Sequence, residues 1–365
     1  METPHIVIDA GIMANNINKM AKLVTNAGVK LRPHVKTHKM PSIAIKQLMA
    51  GASGITVAKL SEAELMARHG IGDIFIAYPI VSPGKIDRLL QLASQIQLIA
   101  GIDSLESARL LAEAAAKSGK IIQVRLEIDT GMRRTGVLYR NAVEMAEQIS
   151  LLPSLRFNGI YTYRGAMYDG KPTLDIKTAG DDEGRLMVDL ACRIRKRGIR
   201  IDEISVGSTP TARYAANVPG ITEIRPGTYV FQDRMQSRYG VCGPEDWAAC
   251  VRVTVISRPS ADLAIIDGGS KTFATDIQPM SNPLQLEGYG HVLGWEDIRF
   301  ERVSEEHGML KLGPIAQTSS LQTGDILHIV PNHICSTINL HNQVVFRYEN
   351  GEEHTAPVLA RGLLE

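Results

Sequence analysis

Short β-type runs alternate with helical segments about eight times before residue 240, and this alternation constrains the fold more than any other feature of the chain. The candidate strands are 31–36, 54–58, 73–77, 96–102, 121–128, 157–163, 203–206 and 223–229. Between them, stretches such as SLESARLLAEAAAKSG and RNAVEMAEQISLL repeat apolar residues at spacings of three and four, the period of a helix face packed on a core. Ser104 offers an N-cap, and Ser61 with Glu64 three residues on offers a capping box. Roughly eight βα units are what a closed parallel barrel requires. An open doubly wound sheet fits less well, because no GxGxxG turn follows the first strand.

After residue 240 the pattern changes. The runs 250–257, 263–267, 326–330 and 343–348 are β-type, separated by Gly, Pro and Asn turns, with no convincing helices between them. The expected architecture is an α/β barrel of the TIM type over 11–240 and an all-β domain over 241–365. The segment 1–10, HIVIDA included, also reads as a strand.

Composition narrows the partners. Forty Lys and Arg against 39 Asp and Glu give a formal net charge of +1, so no global field draws nucleic acid or an anionic membrane. Small molecules are the expected partners. No segment reaches the roughly 18 apolar residues of a membrane span, and METPHIVIDAGIM lacks the pattern of a secretory leader, so a cytoplasmic location is expected. Cys192, Cys242, Cys250 and Cys335 are scattered without CxxC spacing, which argues against a disulfide framework.

Catalytic side chains of such barrels project from the carboxyl ends of the strands. Lys36, in RPHVKTHK, ends the first candidate strand, and Arg32, His34 and Lys39 around it would favour the uncharged amine that attacks an aldehyde. Arg134 follows the fifth strand, Tyr163 ends the sixth, and Gly207, Ser208 and Thr209 follow the seventh. Gly227, Thr228 and Tyr229 end the eighth. The two glycine-hydroxyl turns suit a phosphate, since glycine lets the ligand approach backbone N–H donors. In the β domain, His333 and Cys335 stand at i and i+2, which on a strand face the same side, so imidazole and thiolate can converge on one ion. Nitrogen with sulfur favours Zn²⁺ over harder ions such as Mn²⁺.

RPHVKTHK, GASGITVAKLSEAE, DTGMRRTG, SVGSTPT, RPGTYVF, EEHG and PNHICST occur in that order, and together they resemble the D-threonine aldolase and eukaryotic-type D-serine dehydratase family. That family is the metal-dependent branch of the alanine-racemase-like pyridoxal-phosphate enzymes. The resemblance implies an alanine-racemase-like fold in which the N-terminal strand packs with the β domain, and it implies a homodimer. It implies pyridoxal 5'-phosphate carried on Lys36, Arg134 near the phenolic oxygen of the cofactor, and Tyr163 against the ring. The phosphate falls to the turns at Gly207 and Gly227. The metal falls to His333 and Cys335, and His307 of EEHG is implied to orient substrate or ion.

The chemistry implied is lysis of a D-configured 3-hydroxy amino acid. The dehydratases resemble HxC at the metal and the aldolases HxD, so Cys335 favours D-serine-type dehydration to a 2-oxo acid and ammonia. The alternative is D-threonine-type cleavage to glycine and an aldehyde, which the RPHVKTHK block and the STINLH tail resemble. A metal-independent racemase and a non-enzymatic cofactor-binding protein are the readings of another class.

Overall fold

In the computed structural model, which describes residues 1–365, eight parallel strands line up in one sheet. From the first strand, Lys30–Leu31, the order runs through Glu223–Ile224, Glu203–Val206, Leu155–Tyr161, Ile122–Asp129, Gln97–Ile102, Asp73–Pro79 and Ile55–Val57. The sheet closes where His34 pairs with Thr56 in a parallel bridge. Two backbone bonds support that seam, from Thr56 N–H to the Pro33 carbonyl and from Ser53 N–H to the Leu31 carbonyl, both at 2.8 Å. The expected α/β barrel is present, together with an antiparallel β unit.

Several strands end sooner than the sequence suggests, and proline is the reason in two cases. Pro33 has no N–H for the ladder, so the run 31–36 contracts to Lys30–Leu31, and Val35–Thr37 winds into a 3₁₀ turn that carries Lys36. Pro226 likewise stops the eighth strand at Ile224, and Thr228–Val230 is a second 3₁₀ turn. Tyr163 lies two residues beyond the strand Leu155–Tyr161 rather than ending it. Ser104 caps as expected, accepting from Ser107 N–H at 3.2 Å. The other cap differs. The helix Leu60–Arg68 starts with the Glu62 carboxylate accepting from Ala58 N–H at 2.8 Å, while Glu64 pairs with Arg88 at 2.6 Å.

The barrel interior is polar where three strands face one another. Glu223, with no exposed surface, receives Arg125 Nη1 at 2.6 Å, Arg32 Nε at 2.7 Å and the Ser205 hydroxyl at 2.6 Å. Burial works against its charge, yet Arg125 and Arg32 prevail and hold the carboxyl well below the usual carboxylate range. Arg32 also reaches Asp73 at 2.5 Å. Above and around this network the packing is tight. A side chain at Gly101 would collide with Tyr161 and the Ile76 carbonyl, so glycine is required there.

The second compact unit comprises residues 1–18, 37–40 and 228–362. Its sheet has nine strands. The twelve-residue strand Ala249–Ser260 alternates buried and less buried positions along its first half, as a sheet with one core face does. His5–Asp9 sits inside this sheet, antiparallel to Ala249–Ser260 and parallel to Gln343–Arg347. Ala10–Ala27 follows as a helix, and Met13, Ile17, Met20 and Val24 form one buried stripe along it. Two short helices, Pro314–Thr318 and Ile334–Ile338, interrupt a region read from sequence as free of them.

Glu223→Gln should destabilise the protein by about 3–5 kcal/mol, because it leaves Arg125 and Arg32 buried with their charge uncompensated. Urea unfolding followed by circular dichroism measures this, and a loss below about 1 kcal/mol would mean the network behaves as a solvated surface pair.

Candidate active site

Lys36, Tyr163 and Arg134 come together at the carboxyl end of the barrel. Lys36 Nζ lies 5.5 Å from the centre of the Tyr163 ring, and the Arg134 guanidinium lies 5.0 Å from the same ring. The loop that presents Arg134 is built by local bonds. The Asp129 carboxylate accepts from Gly131 N–H at 2.9 Å and Arg133 N–H at 3.1 Å, and the Thr135 hydroxyl donates to Glu127 at 2.9 Å. Arg133 takes a left-handed φ of 56°, which turns neighbouring side chains apart. Arg134 itself is exposed to solvent on one side.

The cations around Lys36 do not act as the sequence suggests. The Arg32 guanidinium is spent on Glu223 and Asp73, and Lys39 Nζ turns to the Ala360 carbonyl at 3.4 Å. His38 is fully buried, its Nδ1 accepting from Met40 N–H at 3.1 Å. RPHVKTHK is thus mostly a buried turn that leaves Lys36 half-buried.

Gly207 has φ +84°, and this left-handed turn folds the chain back after the strand Glu203–Val206. Ser208 and Thr209 follow, both buried. Ser208 N–H donates to the Thr211 hydroxyl at 3.1 Å, and the two hydroxyls are 2.9 Å apart. Beside the loop, Arg225 is buried, with Nη2 on the Thr162 carbonyl at 2.5 Å and Nη1 on Ser205 at 3.3 Å. Its Nε has no partner. That orphaned donor is unusual in a folded protein.

In the second unit, His333 and Cys335 meet, though not by strand geometry. The strand Ile326–Pro331 has already ended, His333 is the N-cap of Ile334–Ile338, and Cys335 lies in that helix's first turn. The imidazole and thiol adjoin closely enough to interact electrostatically. His333 Nδ1 is 2.6 Å from Asp276, which leaves the other ring nitrogen toward sulfur, the arrangement in which a carboxylate orients a metal-binding histidine. The hydroxyls of Thr37 and Thr228 lie 3.1 and 3.2 Å from Cys335 Sγ. Burial opposes charge on both groups, but the imidazole raises the thiolate's share, so the Cys335 pKa is lowered and that of His333 raised.

Sequence reasoning missed three residues. Asp233, fully buried, accepts from Gln236 N–H at 2.9 Å and from Ile334 N–H at 3.1 Å, and so fixes the helix that presents Cys335. Burial pushes its carboxyl up to about 6. The pattern Asp233-x-x-Gln236 was a readable N-cap signal. Asp276 and Thr37 carried none. His307 is exposed at the turn before Gly308–Leu312, its carbonyl accepting from Ser304 N–H at 2.9 Å. Thr228, expected at a phosphate, turns its hydroxyl to Cys335, and Tyr229 is a buried core residue of the same turn.

Residues 8–235 match the family model "Alanine racemase, N-terminal domain", and residues 248–346 match "Putative serine dehydratase domain". D-threonine aldolase of Arthrobacter sp. is 30% identical over 99% of this chain and 93% of its own length. D-threo-3-hydroxyaspartate dehydratase of Delftia sp. HT23 is 34% identical, covering 92% of each chain. The solved structure of that dehydratase superposes with a TM-score of 0.90 over 98% of this chain and 97% of the other, at 32% identity. The chain belongs to the D-threonine aldolase and D-serine dehydratase family. It is therefore a pyridoxal-phosphate lyase with an alanine-racemase-like barrel.

The residues present fit that family's cofactor. An amine faces an aromatic ring, a glycine turn offers small polar residues, and a buried guanidinium has one N–H to give. They also fit a divalent ion of borderline softness, because a histidine oriented by a carboxylate adjoins a thiol of lowered pKa.

Burial pushes the thiols of Cys242 and Cys250 up to about 12 and about 11. Iodoacetamide at pH 6 should therefore modify Cys335 and spare those two, and prior addition of zinc should protect Cys335. Peptide mass spectrometry reads both, and labelling of Cys335 unaltered by zinc would remove it from the metal.

Proposed function

We propose that this chain is a pyridoxal-phosphate- and zinc-dependent lyase of D-configured 3-hydroxy amino acids, acting as a D-serine-type dehydratase. The observation that carries the reading is the half-buried, adjoining His333–Cys335 pair with Asp276 behind the imidazole. A nitrogen and a sulfur donor suit zinc, and the pair falls within the region matching the serine dehydratase domain. A solved form of D-threo-3-hydroxyaspartate dehydratase is a cysteine-to-alanine variant in a metal-free form, which supports a cysteine ligand in such enzymes.

Lys36 would hold the cofactor through its aldehyde, with Tyr163 against the ring, Arg134 at the phenolic oxygen, and Gly207, Ser208, Thr209 and the turn at Gly227 around the phosphate. The bound pyridine ring supplies a sink for electrons released at Cα. A divalent ion on His333 and Cys335 would supply the charge stabilisation that a 3-hydroxyl needs to depart. Lys36 Nζ, beside the Tyr163 ring, would take the proton from Cα. With Cys335 as a thiolate, the Thr37 and Thr228 hydroxyls would donate to Sγ and spread its negative charge. The substrate is a small-molecule amino acid. A homodimer in the cytoplasm is the expected setting.

The second reading is D-threonine-type aldol cleavage, favoured by the aldolase relative that covers 99% of the chain. Incubation with D-serine and D-threonine decides between them: 2-oxo acid and ammonia support dehydration, and glycine with an aldehyde supports cleavage. Borohydride should fix the cofactor on the peptide containing Lys36, and label on Lys39 instead would sink that assignment. Exhaustive chelation should stop turnover while the cofactor's absorption band persists. Full activity without metal would leave a racemase-like proton transfer as the better reading.

A further inference from the structure

Glu183 is the one fully buried carboxylate near the 207–211 loop that the proposed chemistry does not use. It sits on the helix Ile176–Arg195, which approaches the helix Ala212–Ala215 closely at Gly180, where a Cβ would stand 3.0 Å from the Thr211 carbonyl. That close approach brings Glu183 Oε2 to 3.4 Å from the Thr211 hydroxyl, while Oε1 is buried without a partner. The same Thr211 hydroxyl accepts from Ser208 N–H at 3.1 Å and lies 2.9 Å from the Ser208 hydroxyl.

We infer that Glu183 is a positioning residue for the phosphate loop, and that its protonation state sets which way the Ser208 hydroxyl points. The inference rests on the assignment of 207–211 to the cofactor phosphate. Hydrogen-bond arithmetic carries it, because each hydroxyl has one proton. When Glu183 is ionised it can only accept, so the Thr211 proton turns to Oε2, and the Ser208 proton is drawn to the Thr211 oxygen. When Glu183 is neutral, its own O–H donates to Thr211, the Thr211 proton turns to the Ser208 oxygen, and the Ser208 proton is left to point out of the loop at an anion. Ionisation thus both withdraws a donor and places a negative charge behind the phosphate. Each hydroxyl keeps its own proton as it turns, and only the Glu183 proton is exchanged with solvent.

Other groups facing Glu183 are Arg164, beyond the strand Leu155–Tyr161, and Arg225, beyond Glu223–Ile224. Arg164 is neutralised by Asp182 at 2.6 Å. Burial, the largest influence, outweighs the two arginines, the Arg164 backbone N–H and Thr211, and pushes the carboxyl up to about 7. The neutral form therefore prevails below neutrality and is lost as pH rises.

The test is calorimetric binding of pyridoxamine 5'-phosphate, whose amine cannot bond to Lys36, to the cofactor-free full chain from pH 6 to 8.5. Glu183→Gln keeps a donor toward Thr211 at every pH. Wild type and Glu183→Gln should bind alike at pH 6, and wild type should fall behind by about tenfold at pH 8.5. Taking the ratio of the two removes the titration of the ligand's own phosphate. Should the glutamine variant fail to fold, Thr211→Val interrupts the relay and should likewise flatten the wild-type pH profile. A ratio independent of pH, or a steep profile in Thr211→Val, overturns the inference. Absence of binding by wild type at any pH overturns the assignment of the loop itself, which is a separate outcome.

Discussion

The carboxylate of Glu223 is the interaction on which the barrel depends. It stands on the last strand, receives Arg125 from the opposite wall, and receives Arg32 from the segment just after the first strand. The first strand is only two residues long, so backbone pairing alone gives the closing seam little strength. A buried ion pair is not by itself a strong source of stability, because desolvation offsets much of the attraction. Its effect here is one of specification. Arg32 can satisfy Glu223 and Asp73 only if the chain crosses the seam in one register, and that register puts the 3₁₀ turn with Lys36 at the carboxyl end of the barrel.

A similar logic governs the second unit. Asp233 caps the helix Arg234–Arg238 and, 101 residues away in sequence, also accepts from Ile334 N–H. One carboxylate thereby fixes the start of two helices, and the second start determines where His333 and Cys335 point. Asp276 then sets the rotation of the imidazole. The pair is oriented by groups that make no bond to sulfur themselves, as metal sites commonly are.

The barrel was legible because its signal is repeated: eight short apolar runs bracketed by helical periodicity leave few alternatives. Its edges were not, since Pro33 and Pro226 remove ladder donors and a propensity reading extends strands through them. His333 and Cys335 were found for a reason that proved wrong, as i and i+2 converge here through a cap and first helical turn rather than through a strand face. The basic cluster RPHVKTHK misled in its charges. Arg32 reads as a neighbour of Lys36, yet its partners lie 41 and 191 residues away, and no local pattern announces Asp73 or Glu223. Asp276 was unreadable for the same reason. His307, the remaining motif match, stands exposed at a turn.

Unsatisfied buried groups are rare in folded proteins, and two of them adjoin the 207–211 loop: Arg225 Nε and Glu183 Oε1. One is a donor and the other an acceptor, yet they do not satisfy each other. Arg225 is committed to Ser205 and Thr162, and burial lowers its pKa despite the acidic neighbours Glu223 and Glu183. A site that holds a desolvated guanidinium with one free N–H gains when an anionic or acceptor-bearing ligand arrives, because the folded chain has already met the desolvation penalty. Binding to the folded state alone then adds stability in proportion to the logarithm of ligand concentration. Under the proposed assignment, the polar interior that makes the empty barrel less stable is what makes it receptive to its cofactor, and the same groups cannot be optimised for both.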